Sequence, residues 1–201
     1  SADLTSRVAG TYVGGPGDAT LRGGAKVLRS GDILAHGQVD GAGLTTSGAY
    51  QASPGGGGNE AWLGALSPDL STLRWGTYLG SNAPGVTEVV VGTQERSDGD
   101  IVLYSSSPGR AWLSGIRTNG AVPSGSNASR TFVARLSPSA PQTLDWVSPT
   151  GPGNGASVTG TSYPEAGMAM DAAGNIYVAG ETDTDMGTAR AYQRNQQGGG
   201  D

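Results

Sequence analysis

The sequence predicts an all-β fold built from about three repeated four-stranded antiparallel units of roughly 65–70 residues each. Three observations carry that expectation. The chain has 36 glycines and 11 prolines among 201 residues, scattered between short apolar runs. Such punctuation marks strands and turns, and no window sustains a 3.6-residue apolar period long enough for a helix. Finally, three separate landmarks recur along the chain.

The first landmark is "SADLTSRVAGTYVGG" at residues 1–15, which aligns without a gap on "SPDLSTLRWGTYLGS" at 67–81. Gly10, Thr11 and Tyr12 fall on Gly76, Thr77 and Tyr78. A third, weaker copy is "SPSAPQTLDWVSPTG" from Ser137, where Leu144 and Trp146 stand for Leu73 and Trp75. Two of these copies follow an apolar run that alternates large and small residues, "AWLGAL" at 61–66 and "TFVARL" at 131–136. Each reads as a half-buried strand. A second landmark pairs a short run with a glycine turn and another run: residues 25–37, 101–115 and 167–180, aligned on Gly31, Gly109 and Gly174. Run, turn and run predict a β-hairpin. The third landmark is "GAYQ" at 48–51 and "RAYQ" at 190–193, each followed by a glycine tract; the middle copy lacks it.

The unit thus has four strand candidates: the run ending near "GTYLG", the hairpin pair, and the "AWLGAL"-type strand. Four antiparallel strands repeated around an axis make a β-propeller blade. The expected division is 1–66, 67–136 and 137–201, the third unit lacking its last strand. A β-solenoid is the rival architecture, but its rungs are usually shorter.

Composition narrows the function classes. Net charge is −5 and Lys26 is the sole lysine, so no basic run exists to neutralise phosphates. Nucleic acid is therefore not an expected partner. No apolar stretch approaches the ~18 residues needed to span a bilayer as a helix. The absence of cysteine excludes disulfides and thiolate metal sites.

Candidate chemistry is sparse. Asp183 and Asp185, spaced by one residue, are the candidate calcium ligands, against the plainer reading of a solvated turn. "SDGD" at 97–100 is a second acidic pair, read as part of an inserted loop. His36 is the chain's one histidine, so a multi-histidine metal site is impossible, and in a predicted strand beside Gly37 it reads as a structural or surface residue. No G-x-S-x-G elbow is present to go with it. Trp62, Trp75 and Trp146 sit at or beside equivalent strand positions, which favours packing between units over sugar stacking; the fourth tryptophan is Trp112. Asn127 opens an N-x-S sequon. No catalytic residue and no obligate cofactor is expected, calcium being the one candidate ion.

"GNIYVAGETDTDMGTARAYQRNQQGGGD" at 174–201, with "TFVARLSP" and "GTYLGS", resembles the bacterial SBBP-type β-propeller repeat. The middle unit departs from it by lacking the AYQ element. The resemblance implies a propeller and an exported, periplasmic or cell-surface protein, and it supplies no catalytic residues. By the family's phase, residues 1–201 enter and leave within a blade, so further blades or a protein partner, including another copy, are expected to complete the ring. The leading expectation is a noncatalytic interaction or scaffold module, or an accessory subunit of an assembly. The alternatives are a carbohydrate-active hydrolase or lyase carried on a propeller, with carbohydrate as ligand, and a calcium-stabilised adhesin repeat.

Overall fold

The structure is a computed structural model that describes residues 5–17, 19–21, 24–56, 59–80, 88–107, 117–118, 130–149, 167–179, 189–193 and 195. Among these residues there is no helix, and the strands fall into three sheets. The first sheet holds β1 (Ala19–Thr20), β2 (Ala25–Val27), β3 (Ile33–Val39), β4 (Glu60–Leu66) and β5 (Leu73–Leu79). The second holds β6 (Val89–Glu95), β7 (Ile101–Ser107), β8 (Arg117–Thr118), β9 (Arg130–Ser137) and β10 (Thr143–Pro149). The third is the pair β11 (Gly167–Met170) and β12 (Ile176–Ala179).

The two larger sheets share one plan. β2, β3, β4 and β5 form an antiparallel meander, and so do β6, β7, β9 and β10. Their registers coincide residue for residue. Ile33 faces Leu66 as Ile101 faces Leu136, and Val39 faces Glu60 as Ser107 faces Arg130. Even the bulge repeats: Arg74 is skipped between β4 and β5, and Asp145 between β9 and β10. The first strand of the first sheet is split, β2 pairing with the start of β3 and β1 with its end. β8 adds a short parallel edge beside β10.

Strand alternation sends one set of side chains to each face. Leu34, Leu63 and Leu79 of the first sheet meet Ile101, Leu103 and Leu136 of the second, all fully buried, in the largest apolar cluster. The opposite face of the first sheet carries Ala35, Val39, Trp62 and Tyr78, covered by Val13, Leu21 and Leu44 of the chain's own loops. The opposite face of the second sheet carries Val102, Tyr104 and Val133, packed by Met168 and Ile176 of β11 and β12. The sheets therefore stack face to face in chain order.

Two sequence expectations are corrected by the strand pairing. The middle hairpin is β6–β7, spanning 89–107, and not 101–115. Residues 101–107 form a strand whose two edges are taken by β6 and β9, leaving no edge for a hairpin with the residues that follow. The opening copy of the "GTYLG" landmark is not a strand over residues 5–15, although its counterpart is β5. β5 is held by β4 alongside it, and no β4-like strand lies beside the opening copy among the described residues. Tyr12 is accordingly exposed where Tyr78 is buried. β5 pairs with β4 through the tight turn at 67–72, and the first sheet runs to Leu79.

Leu63→Ala is expected to cost about 2–5 kcal/mol in urea-induced unfolding, because it opens a cavity between the stacked sheets. Gly99, whose φ is +89°, should cost less on replacement by alanine, about 1–2 kcal/mol for the left-handed backbone. Equal stability of Leu63→Ala and the parent chain would contradict the stacking described above.

Candidate functional site

The hairpins place three equivalent turns at one end of the stack. Each turn is closed by the same pair of backbone hydrogen bonds. Leu28 N donates to Asp32 O and Gly31 N to Leu28 O, both at 2.8 Å. Arg96 N and Gly99 N donate likewise to Asp100 O and Arg96 O, at 2.8 and 3.1 Å. Asp171 N and Gly174 N donate to Asn175 O and Asp171 O, at 3.1 and 3.0 Å. The closing glycines have φ of +88°, +89° and +85°. A side chain at that φ is strained, so each turn requires glycine.

Side chains tie each turn to the next unit. Arg29 N donates to Glu95 Oε2 and Arg29 Nη1 to Arg96 O, both at 2.9 Å. One strand further in, Lys26 Nζ donates to Thr93 O, and Gln94 Nε2 donates to Met168 O at 3.0 Å. These two contacts are the same contact. Lys26 faces Leu34 across its hairpin as Gln94 faces Val102, and Thr93 faces Leu103 as Met168 faces Val178. One donor position thus reaches one carbonyl position of the following unit, twice.

Between the second and third turns lies a cleft of about 210 Å³, lined by Arg29, Arg96, Ser97, Met170, Asp171, Ala172, Ala173 and Gly174. Arg29 enters it from the first turn, so all three units contribute. Asp171 Oδ1 accepts from Ala173 N and Asn175 N, both at 2.9 Å, and Oδ2 from Asn175 Nδ2 at 2.7 Å and Tyr177 OH at 3.1 Å. These bonds, Asn175's side-chain amide foremost, hold the Asp171 carboxyl below the usual range and raise the Tyr177 phenol. Across the cleft, Arg96 Nε donates to Asp98 Oδ2 at 3.3 Å. Its terminal nitrogens have no protein partner among the described residues, nor do Nε and Nη2 of Arg29.

The cleft residues escaped the sequence reading for a specific reason. "SGD" at 30–32, "DGD" at 98–100 and "AGN" at 173–175 are one turn in three copies, but the middle copy was aligned on Gly109 in place of Gly99. "SDGD" is therefore the second hairpin turn and not part of an inserted loop. Its carboxylates serve the turn: Asp98 Oδ1 accepts from Asp100 N at 3.2 Å, and Asp100 pairs with Arg135 Nε at 3.4 Å.

Asp183 and Asp185 lie outside the described residues, as do Trp112 and Asn127. Among the described residues no cluster of three metal-ligating side chains occurs. Trp62 is fully buried, but on the face of the first sheet away from the second, where its Nε1 donates to Leu44 O at 2.7 Å. Trp75 is half-buried against the cluster between the sheets. His36 is 1% exposed, sandwiched between the sheets, with Nδ1 at 3.0 Å from Val90 O. A carbonyl only accepts, so Nδ1 carries the proton. Nε2 is then a buried lone pair with no donor among the described residues.

No family model matches the chain, and no curated protein matches it.

Burial pushes the His36 imidazole below its ordinary pKa of 6.5, with a smaller contribution from the Lys26 charge, while the Val90 bond opposes the shift. The folded state therefore favours neutral imidazole, and the unfolded chain binds more protons below pH 6.5. Stability from this source is full above that pH and is lost as pH falls. Melting temperature is expected to drop between about pH 7 and pH 5, and His36→Gln should flatten that step. A parent profile that is level across this range would contradict it. The Asp69 carboxyl, lowered to about 2 chiefly by the Ser67 hydroxyl, contributes stability that is full above the ordinary carboxylate pKa of 3.8 and is lost only as pH falls from there toward 2, below the His36 window.

Proposed function

We propose that this chain is a noncatalytic interaction or scaffold module, a run of β-propeller blades of the SBBP type from an exported or cell-surface bacterial protein. The observation that carries the reading is the repeated latch, Lys26 to Thr93 O and Gln94 to Met168 O. One contact at one register, used twice in succession, fits a constant step from unit to unit, which is how blades are arranged around an axis. The stacked apolar faces and matched registers support the same reading.

The placement of His36 argues for binding over catalysis. A histidine general base must reach solvent and substrate. This one is enclosed between two sheets and committed to a backbone carbonyl. The cleft at the turns offers guanidinium, hydroxyl and carboxylate groups in a shallow surface, a composition suited to docking. No helix among the described residues is long and apolar enough to cross a membrane.

Incubation with neutral and acidic polysaccharides, followed by reducing-end and unsaturated-product assays, tests the reading against the carbohydrate-active alternative. The expected result is no product above a heat-treated control. Sustained turnover by the purified chain would overturn the interaction-module proposal.

A further inference from the structure

We propose that the cleft between the second and third hairpin turns binds a carboxylate, specifically an acidic side chain presented by a protein partner. This inference rests on the reading of the chain as an interaction module and names the chemistry of what it binds.

Two arginines, Arg29 and Arg96, line one small space. The Arg29 guanidinium is tethered by Nη1 to the Arg96 carbonyl, while the Arg29 backbone N–H donates to Glu95 Oε2, so Nε and Nη2 of Arg29 are left as donors beside the turn. Arg96 is anchored at Nε by Asp98, which leaves its terminal nitrogens directed elsewhere. A carboxylate accepts paired N–H groups from arginine in a fork, and such charge-assisted bonds are about twice as strong as neutral ones. Ser97 adds a hydroxyl donor beside the pair.

The rest of the lining selects the source of the carboxylate. At about 210 Å³ the cleft is smaller than cofactor and drug-sized pockets, which run roughly 300–1,000 Å³. It accepts a single side chain. Among the described residues no aromatic ring lines it, so these residues offer a sugar ring no stacking platform. Met170 instead supplies an apolar wall for the methylene stem of a glutamate. Among the described residues Asp171 is the one acidic group lining the cleft, and its two oxygens are engaged by four donors of its own hairpin. The overall charge of −5 does not attract acidic ligands, so recognition depends on the local arginine pair.

The test uses the whole 201-residue chain and a fluorescent oligoglutamate peptide, with polygalacturonate as a second probe. Saturable oligoglutamate binding is expected, weakening as salt is raised. Arg29→Gln and Arg96→Gln should each weaken it about tenfold or more, the loss of one charge-assisted bond. Asp171→Asn should strengthen it, which damage to the turn would not do. If an arginine variant fails to melt cooperatively, phenylglyoxal labelling of the parent chain decides: oligoglutamate must shield Arg29 and Arg96 from adduct formation, read by peptide mass spectrometry. Absence of oligoglutamate binding, binding unchanged in both arginine variants, unshielded arginines, or tighter binding of polygalacturonate would each overturn the proposal. Failure here without polysaccharide turnover leaves the interaction-module reading standing, whereas turnover removes the reading itself.

Discussion

The structure depends on how one edge strand is satisfied. Among the described residues β6 begins the second sheet, so its ladder has a single strand partner there, β7. An edge strand presents carbonyls that must find donors or water. Here the donors come from side chains of the first sheet: Gln38 reaches Glu88 O, His36 reaches Val90 O, and Lys26 reaches Thr93 O. Hydrogen bonds to backbone and apolar contact thus act at the same surface. Gln38 and His36 are themselves buried, and each would be costly to bury without its carbonyl partner. The sheets are consequently held in one register as well as pressed together, which apolar packing alone does not ensure. That register brings the hairpin turns level and so creates the cleft.

Equivalent positions do equivalent work with different residues. The last residue of the first turn, Asp32, is met by Arg74 at 3.5 Å, from the bulge of β5. In the second sheet the bulge residue is Asp145, and the arginine has moved to Arg135 on β9, which pairs with both Asp100 and Asp145. The charge has changed strand while the turn aspartate keeps a cationic neighbour. Such partly exposed pairs add little to stability individually. Their effect is to keep the turn carboxylates oriented, and the backbone register that permits both solutions is the same.

Much of the strand plan was legible in the sequence because it follows from local chemistry. The alternation in "AWLGAL" and "TFVARL" reported β4 and β9, and Leu73, Trp75, Leu144 and Trp146 marked the equivalent strands beyond them. Glycine at 31 and 174 located two of the turns, since their backbone conformation all but demands it. What failed was the pairing. Gly109 and Gly99 are equally plausible turn glycines, and only the neighbours of residues 101–107 decide between them. The opening residues match β5 in identity but lack its partner strand among the described residues, and a strand is defined by what lies beside it. The cleft was invisible for a similar reason. Arg29, Arg96 and Asp171 lie far apart in the chain and acquire a common purpose only when three turns stand side by side. His36 could be placed on a strand from its neighbours, but its burial follows from the second sheet lying against that strand, which local sequence does not reveal.

The latch position also gives each repeat its own identity. Lys26 occupies it in the first hairpin, Gln94 in the second, and by register Ala169 in the third. Alanine has no donor, so the third hairpin cannot seize a neighbour as the other two do. Tandem repeats of similar sequence are prone to docking in the wrong order during folding. A chain whose successive units carry a cation, an amide and a methyl at the joining position has a built-in sense of direction. Its divergence, which obscures the repeat to the eye, makes each junction chemically distinct from the next.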